Sequence, residues 1–287
     1  MGIFGGAFYL SLMKTQLALV FSLLFVAFGL GACSVVPETG RHQLMMVDDA
    51  TATQQGLAAF SDLKKTTKIS TNPAYNAQVQ RVGNRIKDSV MKSHPMPNAQ
   101  WEFVVFDDPQ VNAFALPGGK VGVYTGLLKL VSSDDELAIV MGHEIAHVTS
   151  GHGAERQSQG SLANMVGQIG GAALGLTQYS DTTKNLLMTA YGVGAQGSLL
   201  KFSRDQESEA DTVGMQFAEG AAYNPQAAVT FWKKMAAASS SGQASGLDAL
   251  VAKWTSTHPP DADRIANLEK LVPKWMPVYQ QAKLQYP

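Results

Sequence analysis

The sequence has 287 residues, 45% hydrophobic and 16% charged, with 22 Lys and Arg against 23 Asp and Glu, a formal net charge of −1. That balance gives no electrostatic footing for nucleic acid, and a composition able to bury a core excludes disorder over most of the chain. A single cysteine, Cys33, excludes an internal disulfide, a cysteine-based zinc knuckle and an iron–sulfur site in a monomer.

Residues 1–32 hold no acid and one base, Lys14. The fourteen mostly apolar residues 17–30 (LALVFSLLFVAFGL) fall short of the roughly 20 that a spanning helix needs. They read as the apolar region of an export signal, with Met13-Lys14 as its positive start. Leu30-Gly31-Ala32-Cys33 resembles the bacterial lipobox, which implies a signal peptide over 1–32 and lipidation of Cys33. Residues 1–12 add a second apolar piece unusual for an export signal, so translation is expected to begin at Met13. In Gram-negative lipoproteins a residue such as Ser34 after the cysteine implies sorting to the outer membrane, with the body on its periplasmic face; in another type of envelope the body would lie on the outer surface. Residues 33–54 then read as a lipidated tether and 55–287 as one domain.

Within that domain, Val79, Val82, Ile86 and Val90 recur at helical spacing over residues 74–92. His94-Pro95-Met96-Pro97 stops that helix. The period then changes to two over 101–106 (WEFVVF), 112–116 (NAFAL) and 120–125 (KVGVYT), with Pro117-Gly118-Gly119 as a turn. This predicts a small antiparallel sheet in a mainly helical α+β fold. Ser132-Ser133-Asp134-Asp135-Glu136 opens a helix that carries HEIAH and ends near Gly151. The Gly- and Ala-rich stretch 160–197 reads as closely packed helices, a lid or a membrane-touching hairpin. Further helices are expected over 202–220, 225–235 and 261–271, with a loop at 236–246.

His143-Glu144-Ile145-Ala146-His147 has the form H-E-x-x-H. At 100° per residue the two imidazoles stand on one helix face about 6 Å apart, within reach of one metal ion. Glu144 lies beside the first ligand and can reach water at the metal without itself binding it. A catalytic zinc needs a third protein ligand. If the helix persists, His152 is half a turn out of phase and reads as a capping histidine. A carboxylate remains, and Glu207 and Asp211 share one face of a later helix, whereas Glu209 points elsewhere and reads as solvated.

Taken with Asn112–Gly119 (NAFALPGG), Arg204-x-x-Glu207-x-x-Ala210-Asp211 and Ser256-Thr257-His258-Pro259-Pro260…Arg264, the HExxH sequence resembles the zinc metalloproteases grouped with HtpX and the CAAX-prenyl endopeptidases, within them the periplasmic branch of BepA and LoiP. The resemblance covers about residues 70–272. It implies a zincin-like, gluzincin fold and one Zn²⁺ per chain, with Glu207 as third ligand. Asp211 would accept a hydrogen bond from a ligand imidazole, and Arg204 and Arg264 would organise the carboxylates. His258 would lie over the metal, either as a fourth ligand that holds the enzyme latent or as a donor to the oxyanion. With the sequence ending at Pro287, a compact member without the tetratricopeptide array of BepA is expected. Glu144 would be the general base of a zinc endopeptidase acting on misfolded envelope polypeptides. The substrate would pair main chain to main chain with the strand carrying Lys120, Val121, Gly122 and Val123. The alternative is a lipid-anchored chaperone or binding module with a latent metal site.

Overall fold

A computed structural model describes residues 33–173, 203–240, 250–251, 254–260 and 262–286. The expected export signal and most of the Gly- and Ala-rich stretch lie outside the described residues. The chain forms two compact units, 1–46 and 47–287. In the first, β1 (Cys33–Val35) pairs antiparallel with β2 (His42–Leu44). Gly40, at φ 73°, donates to the Val36 carbonyl in the turn between them. The stretch expected as a tether is thus a hairpin followed by helix. The expected boundary at 54/55 falls inside α1 (Asp49–Thr66), which Asp48 caps by accepting from Thr51 N at 2.8 Å.

The second unit begins with α1 and continues through α2 (Pro73–Ser93), with Asn72 as N-cap and Pro73 in the first turn. Val79, Val82, Ile86 and Val90 of α2 are fully buried, as their spacing predicts. Three strands follow: β3 (Glu102–Phe106), β4 (Ala113–Leu116) and β5 (Lys120–Tyr124). The sheet is mixed rather than purely antiparallel. Its order is β3-β5-β4, with β5 parallel to β3 and antiparallel to β4. Period-two sequence fixes which side chains share a face but not the direction of a neighbour, so the β3–β5 relation was not legible. One face of the sheet places Phe106, Phe114 and Tyr124 against Phe60 of α1. The other adds Phe103, Val105, Ala113, Ala115, Val121 and Val123 to the main core.

After the short helix α3 (Thr125–Leu130) comes α4 (Asp134–Thr149), the helix with HExxH. Ser133 caps it, accepting from Glu136 N, and Asp134, Asp135 and Glu136 complement its positive end. Those acids also fasten it: Asp134 to Arg81 of α2 at 2.8 Å, and Glu136 to Lys234 at 2.5 Å. From Glu136 to His147 every residue is buried, so α4 is a central helix packed on all sides. Behind it run α5 (His152–Ala173), α6 (Arg204–Gly220), α7 (Gln226–Ser240) and α8 (Ala262–Ala282). Helix α7 continues into the residues expected as a loop, and α8 extends past Leu271 through Pro273 and Pro277. Burial of Leu268, Val272 and Ala282 anchors α8 along its length, and this packing outweighs the hydrogen bonds that the prolines remove. Among the described residues no helix is long and apolar enough to cross a membrane.

A close approach between α4 and α6 sets the site. A Cβ on Gly142 of α4 would lie 2.7 Å from the Gly214 carbonyl oxygen, and one on Gly214 of α6 would lie 2.7 Å from the His143 nitrogen. The two helices touch backbone to backbone, which brings Glu207 within reach of the histidines.

Candidate metal centre

One turn of α4 presents His143 and His147, the first third of α6 presents Glu207, and the segment before α8 presents His258. One ligand atom from each of these four residues lies within 4.8 Å of all the others. All four, and Glu144, are 6% exposed or less. Nε2 of His143 stands 3.1 Å from Nε2 of His147 and 3.5 Å from Glu207 Oε2. His147 Nε2 is 3.6 Å from Glu207 Oε1, and His258 Nδ1 is 3.1 Å from Glu207 Oε1 and 3.4 Å from His143 Nε2. Four ligand atoms about 2.0–2.1 Å from a tetrahedral ion stand about 3.3–3.4 Å from one another, so this donor set fits such an ion.

The proton inventory points the same way. Nδ1 of His143 lies 3.0 Å from Asp211 Oδ1 and Nδ1 of His147 lies 2.7 Å from Nδ1 of His152. If each Nδ1 donates there, the two Nε2 lone pairs face each other across 3.1 Å, and a proton or a cation must sit between them. Burial opposes charge on His143, yet hydrogen bonds to Asp211 and Glu207 outweigh it and push its pKa up to about 9. Burial and the neighbouring His143 push His147 well down. A metal ion and a proton therefore compete for His143.

Arg264 faces two carboxylates of α6. Its Nε and a terminal nitrogen donate to Asp211 at 2.5 and 2.7 Å, and its Nη1 lies 2.8 Å from Glu207 Oε2. Its guanidinium lies 3.6 Å from the Trp232 ring centroid, a desolvated cation–π contact. Burial alone would raise the pKa of Glu207; His258 and Arg264 reverse this and hold it well below the usual carboxylate range. Asp211 is lowered in the same way, Arg264 overcoming burial. Glu144 differs: burial raises it, only partly opposed by His258 and His143. Its Oε1 has no hydrogen-bond partner among the described residues and lies 3.8 Å from His258 Nε2. An orphaned, buried carboxylate oxygen beside the ligand cluster is where a general base needs to be.

Four expectations change. Arg204 is exposed in the first turn of α6 and contacts no carboxylate of the site among the described residues, whereas Glu207 in the same turn is buried. The strand Lys120–Tyr124 cannot receive a substrate backbone: it is the centre of the sheet, its main chain already paired with β3 and β4. Glu209 is buried rather than solvated, and its Oε2 meets His152 Nε2 at 2.8 Å. His152 is no outward-facing cap. Helix α4 stops at Ser150, Gly151 takes φ 69°, and α5 starts afresh at His152, which turns that ring back onto His147. The glycine after Thr149-Ser150 was the signal for this, since a left-handed residue ends the phase from which His152 was counted.

Trp254 and Trp232 were not foreseen. Their rings stack at 5.2 Å and 10°, and Trp254 lies 5.2 Å from the His258 ring. Both Thr257 N and His258 N donate to the Trp254 carbonyl, so this turn holds the His258 loop against the site.

Residues 73–272 match peptidase family M48. The chain belongs to that family. Among curated proteins it is 30% identical over 263 residues to the mitochondrial metalloendopeptidase OMA1 of Bos taurus, covering 88% of this chain and 49% of that one. It is 34% identical over 203 residues to mitochondrial metalloendopeptidase OMA1 of Schizosaccharomyces pombe (70% and 55%). The beta-barrel assembly-enhancing protease of Escherichia coli is 26% identical over 207 residues (71% and 41%). The chain thus spans about half the length of the curated relatives it matches. In this M48 protein the family match includes all four converging residues and Glu144.

Proposed function

We propose that this M48 chain is a zinc-dependent endopeptidase of the cell envelope, attached through a lipid on Cys33 to the periplasmic face of the outer membrane, where it hydrolyses misfolded or unassembled proteins. The observation that carries the activity is the convergence of His143, His147 and Glu207 beside the orphaned Glu144 carboxylate. The lipobox carries the location. The relatives include both a bacterial assembly-enhancing protease and mitochondrial enzymes, so the quality-control role rests on the former.

When bound, zinc would polarise the scissile carbonyl and acidify water. Glu144, with its raised pKa, takes the proton from the attacking water and returns it to the leaving amine. Asp211 orients His143, and Arg264 keeps Asp211 and Glu207 ionised. An extended polypeptide would align along β4, the edge strand beside α4, rather than along β5. Asn112 accepts from Tyr124, so by the alternation of an antiparallel ladder Ala113 and Ala115 turn their main-chain groups outward.

His258 Nδ1, 3.1 Å from Glu207 Oε1, would serve as a fourth ligand to a bound zinc and would exclude water from it, which favours a latent ground state over oxyanion donation. The same closure supports the second reading, a lipid-anchored chaperone or binding module with a sealed metal. Cleavage of casein by wild type and by His258→Ala separates them. Activity that rises in the variant, is lost to a chelator and returns with zinc supports the peptidase. Silence in both proteins leaves the binding module.

A further inference from the structure

Behind His147 lies a polar chain that the proposed reaction does not use. Nδ1 of His147 and Nδ1 of His152 are 2.7 Å apart, and Nε2 of His152 is 2.8 Å from Oε2 of Glu209. All three residues are buried, His152 completely. Two ring nitrogens at that distance share one hydrogen, and the carboxylate at the far end can only accept while ionised. If His147 keeps its Nε2 lone pair for a metal ion, its Nδ1 carries the hydrogen and donates to His152 Nδ1. His152 then carries its own hydrogen on Nε2 and donates to Glu209. The alternative, in which His152 donates to His147, would place the His147 hydrogen on Nε2, against the other ligands. The terminal acceptor therefore selects one tautomer of each ring.

We infer that His152 and Glu209 are positioning residues for the metal ligand His147: together they hold its ring orientation and its metal-binding tautomer. The inference rests on the metallopeptidase reading of the same site. His143 gets the equivalent support from one residue, Asp211, at 3.0 Å. His147 is farther along α4, and the reach to a carboxylate of α6 is bridged by an imidazole. The sharp turn at Gly151 puts that imidazole in place. Partners of this kind commonly set metal affinity 10- to 100-fold.

The test uses the full chain, with zinc affinity measured by competition against a chromogenic chelator and ligand geometry read from the visible spectrum of the cobalt(II)-substituted protein. His152→Ala and Glu209→Ala are each expected to weaken zinc about 10- to 100-fold and to alter the cobalt bands. His152→Asn, whose side-chain oxygen can accept from His147 Nδ1, is expected to recover part of the loss, which a merely space-filling role would not predict. If His152→Ala does not fold, Glu209→Ala and His152→Asn carry the comparison. Affinities within about two-fold of wild type and an unchanged cobalt spectrum in the folded variants overturn the inference and leave the peptidase standing. A wild-type protein that binds no zinc overturns both.

Discussion

The two histidines of the HExxH helix stand one turn apart and are supported in different ways. Behind His143 lies a carboxylate, Asp211, clamped by a buried arginine that also reaches Glu207. Behind His147 lies an imidazole, and only behind that the carboxylate of Glu209. The difference teaches that α6 serves the site as a row of buried acids, each tolerated because something specific faces it. Glu219, farther along the same helix, shows what happens without such a partner: both its oxygens are buried with no hydrogen bond among the described residues, and burial pushes its pKa up to about 9.

The strongest way to break this comparison is to remove the shared cation. Arg264→Met leaves Asp211 and Glu207 buried without it and is expected to cost about 3–5 kcal/mol in metal-free protein, read by urea unfolding. A cost under about 1 kcal/mol would show that the clamp is not what stabilises these acids. Next comes the helix contact that both histidines depend on. Gly214→Ala drives a methyl against the His143 backbone and is expected to cost about 1–3 kcal/mol. It should also weaken zinc binding as Glu207 moves away from α4; unchanged affinity would mean that the contact does not set the ligand distance.

The smallest effect concerns the unpartnered acid. Between about pH 4.5 and about 9 the unfolded chain has lost the Glu219 proton while the folded chain keeps it, so stability falls as pH rises through that window. Glu219→Gln is expected to flatten this slope and to gain about 1 kcal/mol at pH 8, the gain being limited because the amide is itself buried. Melting temperatures from pH 5 to 9 check this. A wild-type curve already flat there would mean that Glu219 has a partner.

Much of this site was legible in the sequence because it rests on local rules. Helical phase places His143 beside His147 and Glu207 beside Asp211, and Ser133 with its following acids marks where α4 starts. Residues 112–125 show strand, turn and strand. What was not legible depends on a change of phase or on tertiary pairing. The count to His152 assumed a continuous helix, and Gly151 breaks it. Which strand is central follows from β3 pairing across a gap in sequence, which alternation does not encode, so the substrate strand was misplaced by one position in the sheet. Arg204 and Arg264 are alike as residues near acids; only packing separates the exposed one from the clamp.

The central claim is that Glu144 moves the proton in a zinc-dependent peptide hydrolysis. The most direct measurement compares wild type with Glu144→Gln for zinc content and for cleavage of an unfolded polypeptide, both in the His258→Ala background if the wild type is latent. The account predicts one zinc per chain in both proteins and a rate about 10²- to 10⁴-fold lower in the variant. A Glu144→Gln protein that holds zinc and cleaves at the unsubstituted rate would contradict it.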